Sequence, residues 1–345
     1  MRTADFDYEL PPQRIAQQPL EPRDASRLLV LRRDSGEIQH RHFRDLPEYL
    51  RPGDLLVCNE SRVVPARLRG QRERTGGRVE VLLLRRLESR RWEALLRGRR
   101  VRPGLELVFG APEGPFLRAE VEEVRPDGTR LLRFASDVEE VLDTLGAIPL
   151  PPYIHEPLAV AERYQTIYGR VAGSVAAPTA GLHFTPRLIE QLQRQGVRFA
   201  FLVLHIGVDT FRPVETEDLE DHSMHAEWCR VPPEVAAAVG ETRRAGRRVV
   251  AVGTTAVRAL EAAAQAGEAG GEAMAPFEGW TRLFIYPGYR FRAVDVMITN
   301  FHLPRSTLLM LVSAFVGRET IVRTYREAIV LGYRFYSFGD AMLIL

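Results

Sequence analysis

The chain has 345 residues, 45% of them hydrophobic and 27% charged, with a formal net charge of +2; this fits one large or two modest soluble globular domains. No apolar run reaches the ~18 residues that span a bilayer, the opening MRTADFDYELPP has no apolar core to act as a secretory signal, and two distant cysteines, Cys58 and Cys229, exclude a disulfide framework and a cysteine-rich zinc site. All 47 basic residues are arginine, which excludes Schiff-base chemistry, pyridoxal phosphate attachment and a P-loop lysine, and a cytoplasmic protein is expected.

In chain order, Ser26–Leu31 and Ile38–Phe43 are predicted as strands about an Asp34-Ser35-Gly36 turn, and Asp54–Cys58 as a buried strand after Pro52-Gly53. From Val64 to Ala135 the texture changes to six short β-runs (VPARLRG, GRVEVLLLRR, WEALLRG, LELVFG, LRAEVEEVR and TRLLRFA), a pattern that predicts a small antiparallel barrel. A helix, VEEVLDTL, closes this region, with Gly146 as its stop. Charge is uneven across it. Residues 67–102 hold thirteen arginines against four glutamates, a balance of +9, whereas residues 103–150 hold four arginines against ten acids, a balance of −6. Either an oriented face for a polyanion or a solvated strand surface accounts for this.

After the Pro-rich IPLPPYI, helices and strands alternate. Pro186–Gln195 is predicted helical with Thr185 as N-cap and Gly196 as stop, followed by a strand Phe199–His205. A helix Pro233–Ala245, a strand Arg248–Val252 and a helix Ala256–Ala263 come next. The alanine- and glycine-rich 264–275 reads as a mobile loop. A strand Trp280–Tyr286, helices Thr307–Phe315 and Thr320–Leu331, and a last strand Arg334–Phe338 complete the prediction. The expected fold is a large mixed α/β domain, residues 1–65 plus 151–345, interrupted by an inserted antiparallel β-barrel, residues 66–150.

Four segments of the α/β part are richer in Gly, Thr and His than packing requires. In Gly173–Thr185, small residues flank His183 before a capped helix, so backbone N–H groups can approach a ligand; a tight structural loop is the alternative. In Leu204–Val214 a buried strand delivers His205, Gly207, Asp209, Thr210 and Arg212 to its carboxyl end, where open α/β sheets bind ligands. His205 there suits a general base, or is simply satisfied by the loop. Asp221–Trp228 gathers His222, His225 and Glu227, but not at the i, i+4 spacing of a zinc helix, so polar contacts are expected and no metal. Val249–Glu261 runs from a buried strand through Gly253-Thr254-Thr255 into a helix, a ligand-binding turn with neither a GxGxxG nor a P-loop. Further on, 281–315 offers Tyr286, Tyr289, Phe291 and Phe301 for stacking, Thr299, Asn300 and His302 as polar contacts, and a predicted loop Asn300–Pro304.

Five blocks together resemble the S-adenosylmethionine:tRNA ribosyltransferase-isomerase family of queuosine biosynthesis. They are FDYELPPQRIAQQPLEPRDASRLLVL (6–31), NESRVVPARLRG (59–70) with GGRVEVLLL (76–84), PTAGLHFT (178–185) with LHIGVDTF (204–211), VAVGTTAVRALE (250–261), and the block ending TNFHLPRSTLLMLVSAF (299–315). Asp209 stands where the family usually has Gly, arginine replaces a frequent lysine in RVEV and LPRSTL, and Trp228 stands where Tyr is more usual.

The resemblance implies an α/β domain interrupted by a β-barrel and an unusual reaction. The ribosyl group of S-adenosylmethionine passes to 7-aminomethyl-7-deazaguanine at the wobble position of tRNAs with GUN anticodons. It isomerises to give epoxyqueuosine, and adenine and methionine leave. No metal or redox cofactor is implied, because S-adenosylmethionine is consumed as substrate. His205 is the first choice for the base and His183 the second; His225, Glu227, Asn300 and His302 are expected to hold hydroxyls or adenine. Gly253, Thr254, Thr255 and Arg258 suit the methionine carboxylate, and Thr179, Gly181, Gly207 and Thr210 complete the substrate-binding set. Arg97, Arg99 and Arg100 of the basic block are expected to meet tRNA phosphates, and a monomer is expected. The rival readings are a non-enzymatic RNA-binding protein and a metal-dependent nucleotide hydrolase using His222, His225 and Glu227.

Overall fold

The computed structural model describes residues 1–345 except Pro112, 208–213 and Glu272. The chain divides into two compact units, Met1–Arg62 with Pro152–Leu345, and Val63–Pro151.

The larger unit is built on a nine-stranded sheet. Its order is Phe277–Thr281, Glu227–Val231, Arg198–Leu204, Leu55–Asn59, Val249–Val252, Val296–Asn300, Ala341–Ile344, Arg27–Leu31, Ile38–His42. The four strands from Arg198–Leu204 to Val296–Asn300 are mutually parallel, so their carboxyl ends lie along one edge. Their apolar runs are continuous because both faces are covered. Side chains alternate between the faces: Leu55, Val57, Val249, Ala251 and Met297 enter one core, and Leu56, Cys58, Val250, Val252 and Ile298 enter the other. The helix Thr254–Ala269 packs into the first core and the helix Pro186–Arg194 into the second. Thr185 caps the latter by accepting a hydrogen bond from the Leu188 N–H at 3.2 Å.

The smaller unit is a closed six-stranded antiparallel barrel. Arg67–Arg72, Arg78–Glu88, Arg91–Arg97, Arg130–Phe134, Phe116–Val124 and Glu106–Gly110 follow one another, and the last pairs back onto the first. Closure depends on Gly70, where a Cβ would lie 2.3 Å from the Val108 carbonyl oxygen.

Three expectations need correction. The helix predicted over Ala256–Ala263 spans Thr254–Ala269, so 264–269 is helical, in keeping with its alanine-rich composition. The strand predicted at Trp280–Tyr286 is Phe277–Thr281, paired with Glu227–Val231. The last strand is Ala341–Ile344 rather than Arg334–Phe338. Tyr336 adopts φ +70°, and Asp340 accepts hydrogen bonds from the Arg27 and Arg334 N–H groups at 2.9 and 2.8 Å, which folds 334–340 into a turn. Among the described residues, no helix is long and apolar enough to cross a membrane.

Candidate active site

The carboxyl ends of Val249–Val252 and Val296–Asn300 open onto a cleft, where open α/β sheets bind ligands. Thr179, Gly253, Thr254, Thr255, Asn300 and His302 line it, as the sequence suggested. Sequence reasoning missed Tyr153, Tyr336, Ser306 and Ser337, which also line it. No carboxylate, guanidinium or thiol belongs to the described lining residues. Tyr153 and Tyr336 pack with ring centroids 4.7 Å apart, and the Tyr153 hydroxyl lies 2.8 Å from Ser337 Oγ. Burial pushes both phenols above their ordinary pKa.

Gly253 turns the chain from strand to helix at φ +88°, ψ 154°, a conformation reserved for glycine. Among the described residues no side chain caps the helix that follows, so its first N–H groups stay free for a ligand, and Thr255 Oγ1 is buried with no described hydrogen-bond partner. The two helix-start threonines therefore present donors beside an uncharged cavity.

Asn300 lies at the end of its strand and not in the predicted loop. Its amide is fixed on both sides. Nδ2 donates to the Tyr336 carbonyl at 3.2 Å and lies 3.1 Å from His183 Nε2, while Oδ1 accepts from Thr179 Oγ1 at 3.2 Å. His183 Nδ1 lies 2.8 Å from Ser26 Oγ. Burial, reinforced by Arg334 and Arg23, lowers the His183 pKa to about 3 and keeps the ring neutral. His183 does not line the cleft; it reaches it through Asn300.

His302 does line the cleft. Its Nε2 lies 2.8 Å from Thr299 Oγ1, its backbone N–H donates to the Tyr325 hydroxyl at 3.1 Å, and its carbonyl accepts from the Tyr8 hydroxyl. Burial lowers its pKa to about 3. Tyr8 is 294 residues away in sequence, so no local pattern could have linked the two.

Arg258, one helical turn beyond Gly253-Thr254-Thr255, forms a buried ion pair with Glu227 through Nη1. Its Nε donates to the Leu283 carbonyl at 3.1 Å, and its Nη2 is buried without a partner. Glu227 also accepts the Gly207 N–H at 3.1 Å, and His225 Nε2 lies 3.3 Å from Glu227 Oε1. Burial alone would raise the Glu227 pKa, but Arg258, His225 and the Gly207 N–H outweigh it and hold the carboxyl at about 2. His225, Glu227, Gly207 and Arg258 thus form one cluster. Among the described residues, no group of three His, Cys, Asp or Glu side chains is arranged to hold a metal.

His205 follows its strand but is absent from the cleft lining, whereas its neighbour Ile206 is present. Its ring stacks on Trp228 with centroids 5.3 Å apart, and its Nδ1 is buried without a partner. Burial, then Arg230, lowers its pKa. It also packs against Gly173, where a Cβ would lie 2.8 Å from His205 Cε1. Gly181 faces Tyr168 instead of the cleft, with a Cβ there 2.1 Å from the Tyr168 hydroxyl. Thr210 and Asp209 lie outside the described residues.

On the barrel, three arginines of the basic block meet acids of the acidic one: Arg74 pairs with Glu106 at 3.2 Å, Arg86 with Asp137 at 3.1 Å and Arg91 with Glu122 at 2.9 Å, while Arg85 pairs with Glu93 of its own block at 3.1 Å. Arg97, Arg99 and Arg100 are exposed and form no ion pair with any described residue.

The family described as queuosine biosynthesis protein matches residues 3–344. A Moorella thermoacetica protein named S-adenosylmethionine:tRNA ribosyltransferase-isomerase is 58% identical over 352 residues, covering 100% of both chains. A Thermotoga maritima protein of the same name is 53% identical over 346 residues, again 100% of both. The crystal structure of S-adenosylmethionine tRNA ribosyltransferase from Thermotoga maritima is 45% identical, covers 99% of this chain and 100% of its own, and superposes with a TM-score of 0.57.

Proposed function

The chain belongs to the S-adenosylmethionine:tRNA ribosyltransferase-isomerase family of queuosine biosynthesis, and from that premise we propose that it moves the ribosyl group of S-adenosylmethionine onto 7-aminomethyl-7-deazaguanine at the wobble position of tRNAs with GUN anticodons. The product is epoxyqueuosine-tRNA, with adenine and methionine released. The observation that carries this reading is the match to the queuosine biosynthesis family from residue 3 to residue 344, together with relatives of that name matched over 100% of both chains.

The cleft suits the neutral half of the donor. Tyr153 and Tyr336 offer faces for adenine, and Thr179 and Asn300 offer hydrogen bonds to ring nitrogens and ribose hydroxyls. The open N-terminus of the helix Thr254–Ala269 suits the methionine carboxylate, with the Arg258 guanidinium one turn behind it adding positive charge. The reaction begins with loss of a proton from the 5′-carbon beside the sulfonium. The ribose then opens, adenine leaves, the amine of the modified base attacks, and closure to the epoxide expels methionine. A cavity without charged lining groups protects these reactive intermediates from water. No metal or redox cofactor takes part, and the enzyme acts as a cytoplasmic monomer. The test is the fate of the donor's carbons: ribose-labelled donor should label tRNA, and methyl-labelled donor should label only free methionine.

Arg97, Arg99 and Arg100, left unpaired by the barrel's own acids, contact tRNA phosphates. Changing all three to Gln should weaken tRNA binding and flatten its dependence on log salt by about one unit for each phosphate no longer neutralised, with little change in turnover at saturating tRNA. An unchanged slope would return these arginines to an ordinary solvated surface.

A further inference from the structure

Proton removal from the 5′-carbon needs a base that touches the donor, and the cleft narrows the choice. Its described lining contains no Asp, Glu, Arg or Cys, and burial raises the pKa of the Tyr153 and Tyr336 phenols, which keeps them protonated and without a lone-pair anion to offer. Of the imidazoles, His183 stands behind Asn300 and His205 stacks on Trp228 outside the lining. His302 alone among the described imidazoles lines the cavity. It is also held as a base needs to be held. Nε2 is anchored by Thr299 Oγ1 at 2.8 Å, and the backbone is clamped on either side by the Tyr325 and Tyr8 hydroxyls. Nδ1 has no protein partner among the described residues.

We propose that His302 is the catalytic base of this reaction, taking the 5′-proton of the bound sulfonium donor on Nδ1. The inference rests on the ribosyl-transfer reading above. In the reactive tautomer Nε2–H donates to Thr299 Oγ1 and Nδ1 carries the lone pair. The C5′–H bond breaks, its electron pair stays on carbon as an ylide beside sulfur, and an N–H bond forms at Nδ1. The step fits a buried, neutral imidazole because it creates no net charge. The sulfonium brings one positive charge into the cleft, and proton transfer moves that charge onto the ring while the donor becomes neutral. The desolvation that keeps the imidazole neutral on its own therefore opposes the step much less once the cationic donor is bound. Thr299 is then a positioning residue, stabilising the imidazolium through Nε2–H and fixing the direction of Nδ1.

The test is wash-in of solvent deuterium at the donor's 5′-carbon in the presence of acceptor tRNA, measured with adenine release. His302→Gln should bind donor within about threefold of the unsubstituted enzyme and lose wash-in and adenine release together, by ~100-fold or more. Thr299→Val, which keeps the shape of the cleft, should lower both rates about tenfold with little change in KM, and His302 remains testable through it if the Gln variant folds poorly. Wash-in at the normal rate in folded His302→Gln, or in Thr299→Val, would overturn the assignment. Loss of wash-in in His205→Gln with normal wash-in in His302→Gln would overturn it too and return the role to His205. If the unsubstituted enzyme transfers label from the donor methyl to tRNA, the ribosyl-transfer reading itself fails, an outcome distinct from a misplaced base.

Discussion

Replacing Arg258 with Met is expected to lower stability at pH 7 by about 3–5 kcal/mol, the cost of stranding one partner of a buried ion pair. Arg258 and Glu227 are both almost fully buried, with side chains 5% and 2% exposed. Met fills the space of the aliphatic stem and takes the guanidinium away from a buried carboxylate that the Gly207 N–H and His225 also touch. For a domain of this size the loss corresponds to a fall of roughly 10 °C in Tm. Its pH dependence separates it from simple loss of packing. With Arg258 present, the folded-state pKa of Glu227 is depressed to about 2, so the pair stabilises the protein above the usual carboxylate range and that contribution fades as pH falls toward 2. Without Arg258, burial meets less opposition, so the folded carboxyl takes up its proton at a higher pH than in the unsubstituted protein. The stability gap between the two proteins should therefore narrow as pH falls from 7 to about 4, into the ordinary carboxylate range. Thermal melts at both values check this, and an equal gap at both would contradict the electrostatic origin of the loss.

The isosteric change Asn300→Asp should be severe for the opposite reason. It changes no volume, but it turns a donor into an acceptor at a buried point where donation is required. Nδ2 now serves the Tyr336 carbonyl at 3.2 Å and His183 Nε2 at 3.1 Å. A carboxylate oxygen there would face the Tyr336 carbonyl with no hydrogen to offer it, costing about 1–3 kcal/mol in lost satisfaction, and His183 Nε2 would have to carry the hydrogen of their contact. Thr179 keeps its acceptor, because Asp retains Oδ1. Relief comes through His183, because a carboxylate 3.1 Å away raises its pKa from about 3 toward or above the unfolded value. In the unsubstituted protein a His183 that stays neutral costs stability as pH falls below the ordinary imidazole range, since only the unfolded chain binds that proton. The variant should lose less on acidification, and its deficit should shrink from pH 8 to pH 6. A deficit that grows over this range would contradict the hydrogen-bond polarity assigned to Asn300.

Much of this arrangement is legible in the sequence, for local reasons. The apolar runs of the central strands announce burial on both faces, the alternating runs and turns of 64–135 announce a barrel, and Thr185-Pro186 announces a helix start. Gly253-Thr254-Thr255 is legible because a glycine between an apolar strand and a helix marks a turn that ligands approach. What escapes is what depends on distant partners. Nothing near Arg334–Phe338 shows that Asp340 binds Arg27, which turns the chain before its last strand. His205 looks more catalytic than His302 in sequence, since it follows a buried strand and opens a polar loop. Its burial beside Trp228 and Gly173 appears only when Gly173, far away in the chain, is folded against it. The basic block misleads similarly, because its charge is read along the chain while Arg74, Arg85, Arg86 and Arg91 meet their acids in space.

Transfer of the ribosyl carbons of S-adenosylmethionine is tested most directly by the mass of the wobble nucleoside. tRNA carrying 7-aminomethyl-7-deazaguanine is incubated with the enzyme and donor uniformly carbon-13 labelled in the ribose, then digested to nucleosides. The wobble nucleoside should gain all five ribose carbons, one adenine should appear per nucleoside formed, and tRNA lacking the modified base should yield neither. A nucleoside that gains only the donor methyl group, with no ribose carbon, would contradict ribosyl transfer.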